Sequence, residues 1–330
     1  MKKMKSKIVL SNIQFLRAFA VIAIILHHSI YTAEIYQKPT FIFHFLKNWG
    51  TSSVDLFFVI SGFIMVFIQY HYNKKPIPFL IDRVARVVPT YWFFSSVMIF
   101  ILYFFPYLFN QMTYSSTWSF YSLFFISGAI LDREPVIFVG WTLEYEMLFY
   151  FIFSISIFLR LQILYLISTS LFLIFFIYLF DTSLTVTNFI FGIVAGIIYT
   201  RFKINDILKK YLIFISIPFY LSTIWIVDDT EKHIYLYGIA AAILVYSAAI
   251  SKQLFNKFFL IIGDRSYSIY LTQVFSIPAI FKFLSLFKNE IIPNDIIIIF
   301  TTVFTVLFGC IIFLIFENKS NLFYKKIKKK

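Results

Sequence analysis

One cysteine, Cys310, stands among the 330 residues, and it lies inside an apolar run. No disulfide forms within such a chain, no cysteine-based metal site is available to it, and no metal is expected. Charge is scarce as well: 14% of residues are charged, against about a quarter in an ordinary soluble domain. Long polar segments are missing, so residues 1–330 read as a single transmembrane domain with no appended soluble domain. The basic N-terminus, "MKKMKSKIVLSNIQFLRA", runs into a full-length apolar stretch without a small-residue cleavage site, which predicts a retained span and not a signal peptide.

What is present is hydrocarbon. Hydrophobic residues make up 60% of the chain, and the mean hydropathy is +0.84. The expected fold is all-α, a polytopic helical bundle in the membrane. Crossing a bilayer takes about twenty apolar residues. Ten runs approach that length: 12–32, 53–71, 88–109, 141–159, 161–180, 184–200, 211–227, 233–250, 265–284 and 295–316. The stretch "WSFYSLFFISGAI", 118–130, is too short and is expected to lie in the interface or to re-enter.

The net charge of +13 would point to nucleic acid in a soluble protein; here it reads as orientation. With ten spans both termini share one side. Placing them in the cytoplasm puts 22 of the 29 lysines and arginines on inner segments, as the positive-inside rule predicts.

Ionisable groups inside spans are costly and mark function more often than chance. The first span holds "FLRAFAVIAIILHH". Arg17 and His28 are eleven residues apart, close to three helical turns and roughly 16 Å of rise, so they share a face at different depths. Adjacent His27 diverges by about 100°. Asp55 opens the second span, and Glu144 and Glu146 sit just inside the outer end of the fourth, so a histidine and carboxylates from three helices are expected at one depth. Glu144 and Glu146 point about 200° apart, and only one of them can face a given partner. At the inner end, "KKPIPFLIDRVARVVPTYW" sets Arg83 and Arg86 three residues apart on one helical face, with Pro89 expected in the first turn of the third span. Guanidinium groups in such a cluster bind phosphate or pyrophosphate bidentately. Imidazole takes a proton from an alcohol near neutral pH when a partner fixes its tautomer.

In this order, "FLRAFAVIAIILHH", "VDLFFVISGFIM", "DRVARVVPTYW", "WTLEYEMLFY" and "DRSYSIYL" resemble the membrane-bound acyltransferase 3 family, from about Leu10 to the last span. The resemblance implies an inner-membrane enzyme with ten core spans that moves an acyl group, commonly acetyl, from cytoplasmic acyl-CoA to a hydroxyl of a cell-envelope carbohydrate such as O-antigen or exopolysaccharide. It carries the family's histidine onto His28, its arginine onto Arg17, its Arg-x-x-Arg pair onto Arg83 and Arg86, its motif glutamate onto Glu146 and its second-span aspartate onto Asp55. Thr142 stands where serine is usual. Gln273 stands where histidine is frequent, and no catalytic role is assigned to it.

The leading expectation is therefore an O-acetyltransferase with acetyl-CoA, or another acyl-CoA, as donor substrate and a carbohydrate or lipid-linked glycan as acceptor. His28 acts as general base, Asp55 or Glu146 orients it, and Arg17, Arg83 and Arg86 bind the coenzyme phosphates. The competing expectation is a proton-coupled transporter or a flippase for a lipid-linked sugar, since intramembrane His, Asp and Glu also serve a proton relay. Loss of coenzyme binding in arginine variants separates the two.

Overall fold

The computed structural model describes residues 10–36, 40, 43–47, 49–109, 113–159, 165–180, 183–223, 232–286 and 293–329. The N-terminal lysines, Arg160 and the acidic stretch 227–231, which carry part of the charge asymmetry, lie outside these residues. Among the described residues the regular elements are helices, with no strand. In chain order they are α1 (Ser11–Ile35), α2 (Trp49–Tyr72), α3 (Pro76–Phe104), α4 (Ser116–Leu123), α5 (Ser127–Leu131), α6 (Trp141–Phe158) and α7 (Tyr165–Phe180). Then follow α8 (Asn188–Arg201), α9 (Asp206–Thr223), α10 (Lys232–Ile250), α11 (Lys257–Asp264), α12 (Ser266–Ser285), α13 (Asn294–Ile312) and α14 (Asn318–Lys329). A π turn, Phe313–Glu317, joins the last two without a break.

Within the described residues, each of the ten apolar runs falls mainly on helix. Among the described residues six helical stretches are long and apolar enough to cross a membrane: Ser11–Ile35, Trp49–Tyr72, Pro76–Phe104, Leu184–Arg201, Ser266–Ser285 and Asn294–Lys328. The run 118–130 is broken into the short α4 and α5, as its length requires. Ser115 starts α4 by accepting a hydrogen bond from the backbone N–H of Trp118.

Pro89 departs from expectation. The third span was expected to begin near it, but α3 begins at Pro76, and Pro89 sits inside the helix. Pro76 takes the first turn, where its missing N–H would be unpaired anyway. The helix therefore carries Arg83 and Arg86 on its own first turns, continuous with the span.

In a bilayer, helices gain little by hiding apolar side chains from one another, and close backbone approach replaces that driving force. Gly62 of α2 and Gly192 of α8 meet this way. A Cβ at Gly192 would lie 2.1 Å from the carbonyl oxygen of Val59, and one at Gly62 would lie 2.2 Å from that of Phe189. α1 runs through the middle of the bundle, packed on α2, α10, α11, α12 and α13. Asn12 ties its first turn to the end of α10, donating to the carbonyls of Ala248 and Lys252 at 3.0 Å each and accepting from the N–H of Leu254 at 2.9 Å. Those bonds satisfy carbonyls that the end of a helix leaves unpaired, and they fix the height of Arg17 in the bundle.

Candidate active site

A cavity of about 1100 Å³ opens between α1, α2, α3, α6, α11 and α12. Its lining on α2 runs from Val54 to Tyr72, roughly 27 Å of helical rise. The chamber is therefore long, and its two ends differ. Toward Tyr72 it is lined by Arg17, Lys74, Arg83, Arg86, Lys257 and Arg265, against the acids Glu146 and Asp264. Toward Val54 the walls are apolar, built from Ile24, Phe57, Phe58 and Leu143.

The arginines are held without being neutralised. Arg17 donates to the hydroxyl of Ser266 at 2.8 Å and to the amide oxygen of Gln14 at 3.3 Å. Arg83 is 8% exposed and approaches the ring of Phe79 at 6.0 Å, and its Nε is buried without a hydrogen-bond partner among the described residues. Arg265 lies over the ring of Phe313 at 5.2 Å. Within the described residues none of Arg17, Arg83, Arg86 and Arg265 has a carboxylate within ion-pair distance. Lys74 differs, since it pairs with Asp82 at 2.5 Å. Unpaired buried guanidinium groups are costly, and a bound phosphate would supply the missing acceptors.

Glu146 faces this basic end. It accepts from the hydroxyls of Ser61 at 3.0 Å and Tyr150 at 2.5 Å and lies close enough to Arg17 and Arg83 to interact with them electrostatically. Another acid, Glu317, is buried; it accepts from the hydroxyl of Ser268 and faces Arg17 and Arg86. Glu317 carries no signal in the sequence pattern, because it lies one residue beyond the last apolar run, 295–316. The π turn inserts an extra residue into the helical repeat just where Glu317 turns inward.

At the apolar end the chamber meets a polar knot. The hydroxyls of Thr142 and Tyr270 lie 2.9 Å apart, and both reach the carbonyl of Val139, at 3.0 and 2.9 Å. His28 lies one helical turn beyond Ile24, on the face of α1 that Arg17 also occupies, as the eleven-residue spacing requires. It does not line the chamber, although the residue is only half-buried. Its Nδ1 meets the amide oxygen of Gln273 at 2.9 Å, and Phe138 packs edge-on at 5.4 Å between ring centroids. His27 turns away, and its Nδ1 meets the carbonyl of Lys47.

The expected carboxylate partner of His28 is thus a carboxamide. Asp55 is buried and accepts from the amide of Asn188 at 2.6 Å, on the side of α2 that packs against α8. Glu146 is spent on Ser61, Tyr150 and the arginines. The histidine and the carboxylates share a helical bundle but not a hydrogen bond. Glu144 points elsewhere, accepting from the backbone N–H of Ser127 at 2.9 Å and of Gly128 at 3.0 Å, where it caps α5. The two glutamates diverge as their spacing dictates.

These features define a class: a multi-pass helical membrane protein with an internal, cation-lined chamber whose far end stops one turn short of a histidine. Within that class the chain belongs to the acyltransferase 3 family, whose acyltransferase domain model matches residues 10–315. It is similar to the exopolysaccharide production protein ExoZ of Rhizobium meliloti, 40% identical over 115 residues that cover 33% of this chain and 35% of that one. It is also similar to the O-acetyltransferase OatA of Staphylococcus aureus, 29% identical over 327 aligned residues, covering 82% of this chain and 51% of the relative. The chain thus spans from about a third to about half of the length of the curated relatives it matches. No solved structure matches it.

Proposed function

We propose that this chain is a membrane O-acyltransferase that moves an acyl group, acetyl first among them, from acyl-CoA in the cytoplasm to a hydroxyl of a cell-envelope carbohydrate. The observation that carries this reading is the set of unpaired arginines at one end of a chamber that is apolar at the other. Coenzyme A is a polyanion with a long, uncharged arm ending in sulfur. Arg17, Arg83, Arg86 and Arg265 are suited to its phosphates, and the wall from Ser61 to Val54 is suited to the arm and the acyl group. Family membership and the names of the two relatives favour acyl transfer to a polysaccharide.

On this reading ten helices span an inner membrane with both termini in the cytoplasm, which puts the arginine end on the coenzyme's side. In a direct transfer Nε2 of His28 takes the proton of the acceptor hydroxyl as that oxygen attacks the thioester carbonyl. The C–S bond then breaks, and the departing thiolate receives the proton. Glu146 and Glu317 hold the guanidinium groups in register for the donor. Asp55, held by Asn188, stands outside the chamber lining.

The test uses purified protein in nanodiscs with acetyl-CoA and a pool of envelope glycans. Arg83→Ala with Arg86→Ala should weaken donor binding at least about tenfold, the loss of two charge-assisted contacts. His28→Ala should keep binding and lower turnover by about 10²- to 10⁴-fold. A wild-type protein that neither binds nor consumes the thioester overturns the reading, and substrate flux across vesicles would then be measured instead.

A further inference from the structure

We propose that Gln273 is the positioning residue for His28: its amide oxygen accepts the Nδ1 proton and so holds the imidazole in the tautomer whose Nε2 is free to take a proton. The inference rests on the reading of His28 as the general base, and it adds a residue to which that reading gave no role.

Three observations carry it. The contact is direct, at 2.9 Å, and joins α1 to α12 across 245 residues of sequence. Gln273 is 1% exposed, in the middle of a helix that otherwise reads as a span. Its Nε2 is buried without a hydrogen-bond partner among the described residues, so the bond to His28 is the one that holds this amide. Leaving a buried amide N–H unpaired is costly. An apolar residue would avoid that penalty, so packing alone does not account for a glutamine here. An amide oxygen accepts and never donates, and this fixes which ring nitrogen carries the proton.

The amide also differs from a carboxylate in a way that can be measured. It orients the ring without adding a negative charge, so it leaves the imidazolium less favoured than an aspartate or glutamate would. The groups that face His28 are His27 on its own helix, with ring centroids 5.2 Å apart, Phe138 ahead of α6, and Gln273 on α12. Of these, His27 is the one that titrates.

The experiment compares wild type with Gln273→Met, which fills the space with no more than a weak thioether acceptor, and Gln273→Glu, which keeps the acceptor and adds charge. Two readouts are taken. One is acetyl-CoA turnover against pH. The other is the imidazole ¹⁵N spectrum of histidine-labelled protein in nanodiscs, with the His28 signals identified by their loss in His28→Asn. In wild type above the titration of His28, Nδ1 should carry the proton. Gln273→Met should mix the tautomers and lower turnover by about tenfold or more while the donor KM changes little, the mark of a group acting on the base and not on binding. Gln273→Glu should keep the tautomer and restore most of the turnover. Its added charge favours the imidazolium, so the acid limb of the pH profile should move to higher pH. An unchanged tautomer in Gln273→Met, or a proton on Nε2 in wild type, overturns the inference. Because the spectrum needs no turnover, a protein inactive toward acetyl-CoA would defeat the acyltransferase reading and still decide this one.

Discussion

Glu144 and Glu146 stand two residues apart on one helix and have opposite tasks. Glu144 collects two backbone N–H groups and anchors α5, whereas Glu146 faces the arginines across the chamber. Glu144→Ala should therefore lower stability by about 1–3 kcal/mol, the penalty of orphaned buried donors, read as a drop in thermal unfolding temperature in detergent with donor binding retained. Glu146→Ala should act on donor affinity and turnover instead. His27→Ala removes a ring that meets the Lys47 carbonyl and not Gln273, so most activity should remain, while His28→Ala removes it. Much of this was legible beforehand, since helical spacing alone set Arg17 with His28 and separated the two glutamates. Gln273 was not legible, because an uncharged amide in a span is a mild anomaly that says nothing of its partner. The pairing of Asp55 with Asn188 was hidden for a related reason: depth along a helix was readable, and rotation against an unknown neighbour was not.

At the scale of the helix, the contact between α2 and α8 is set by absent side chains. Gly192→Leu would drive a branched side chain into the backbone of Val59, where the Cβ alone has 2.1 Å of room. The pair should part, with a loss of at least about 1–3 kcal/mol, checked by unfolding in detergent and by a cysteine crosslink introduced across the interface. α3 makes a second case. Its early turns are tied to α14 by Asp82, which accepts from Tyr324 at 2.7 Å and from Lys328, and which pairs with Lys74. Asp82→Asn should loosen α14, exposing it to protease, and should weaken donor binding through the neighbouring Arg83. Here the sequence misled in one respect. Hydropathy marks where a helix enters hydrocarbon, not where it starts to coil, so α3 was expected to begin near Pro89 and in fact begins a dozen or so residues earlier. The π turn left no mark in periodicity at all, and Glu317 went unnoticed with it.

For the molecule as a whole, charge at one end of a long chamber predicts a salt dependence. Phosphate binding by several guanidinium groups should weaken as ionic strength rises, because the Debye length falls from about 10 Å at 0.1 M to about 3 Å at 1 M. Donor Kd measured across that range should climb, and Arg83→Ala should flatten the slope. An overall helical architecture of this kind was readable from hydropathy, but the chamber was not, since its walls come from helices far apart in sequence. Its apolar end has a further, electrical consequence. A passage lined by arginines and running the full depth of a membrane would let anions leak down any voltage across it. Thr142 and Tyr270, gathered on the carbonyl of Val139, line the chamber at the end away from the arginines, where the polar groups are uncharged. Because the arginines are confined to one end of the chamber, they form no continuous charged path along its lining.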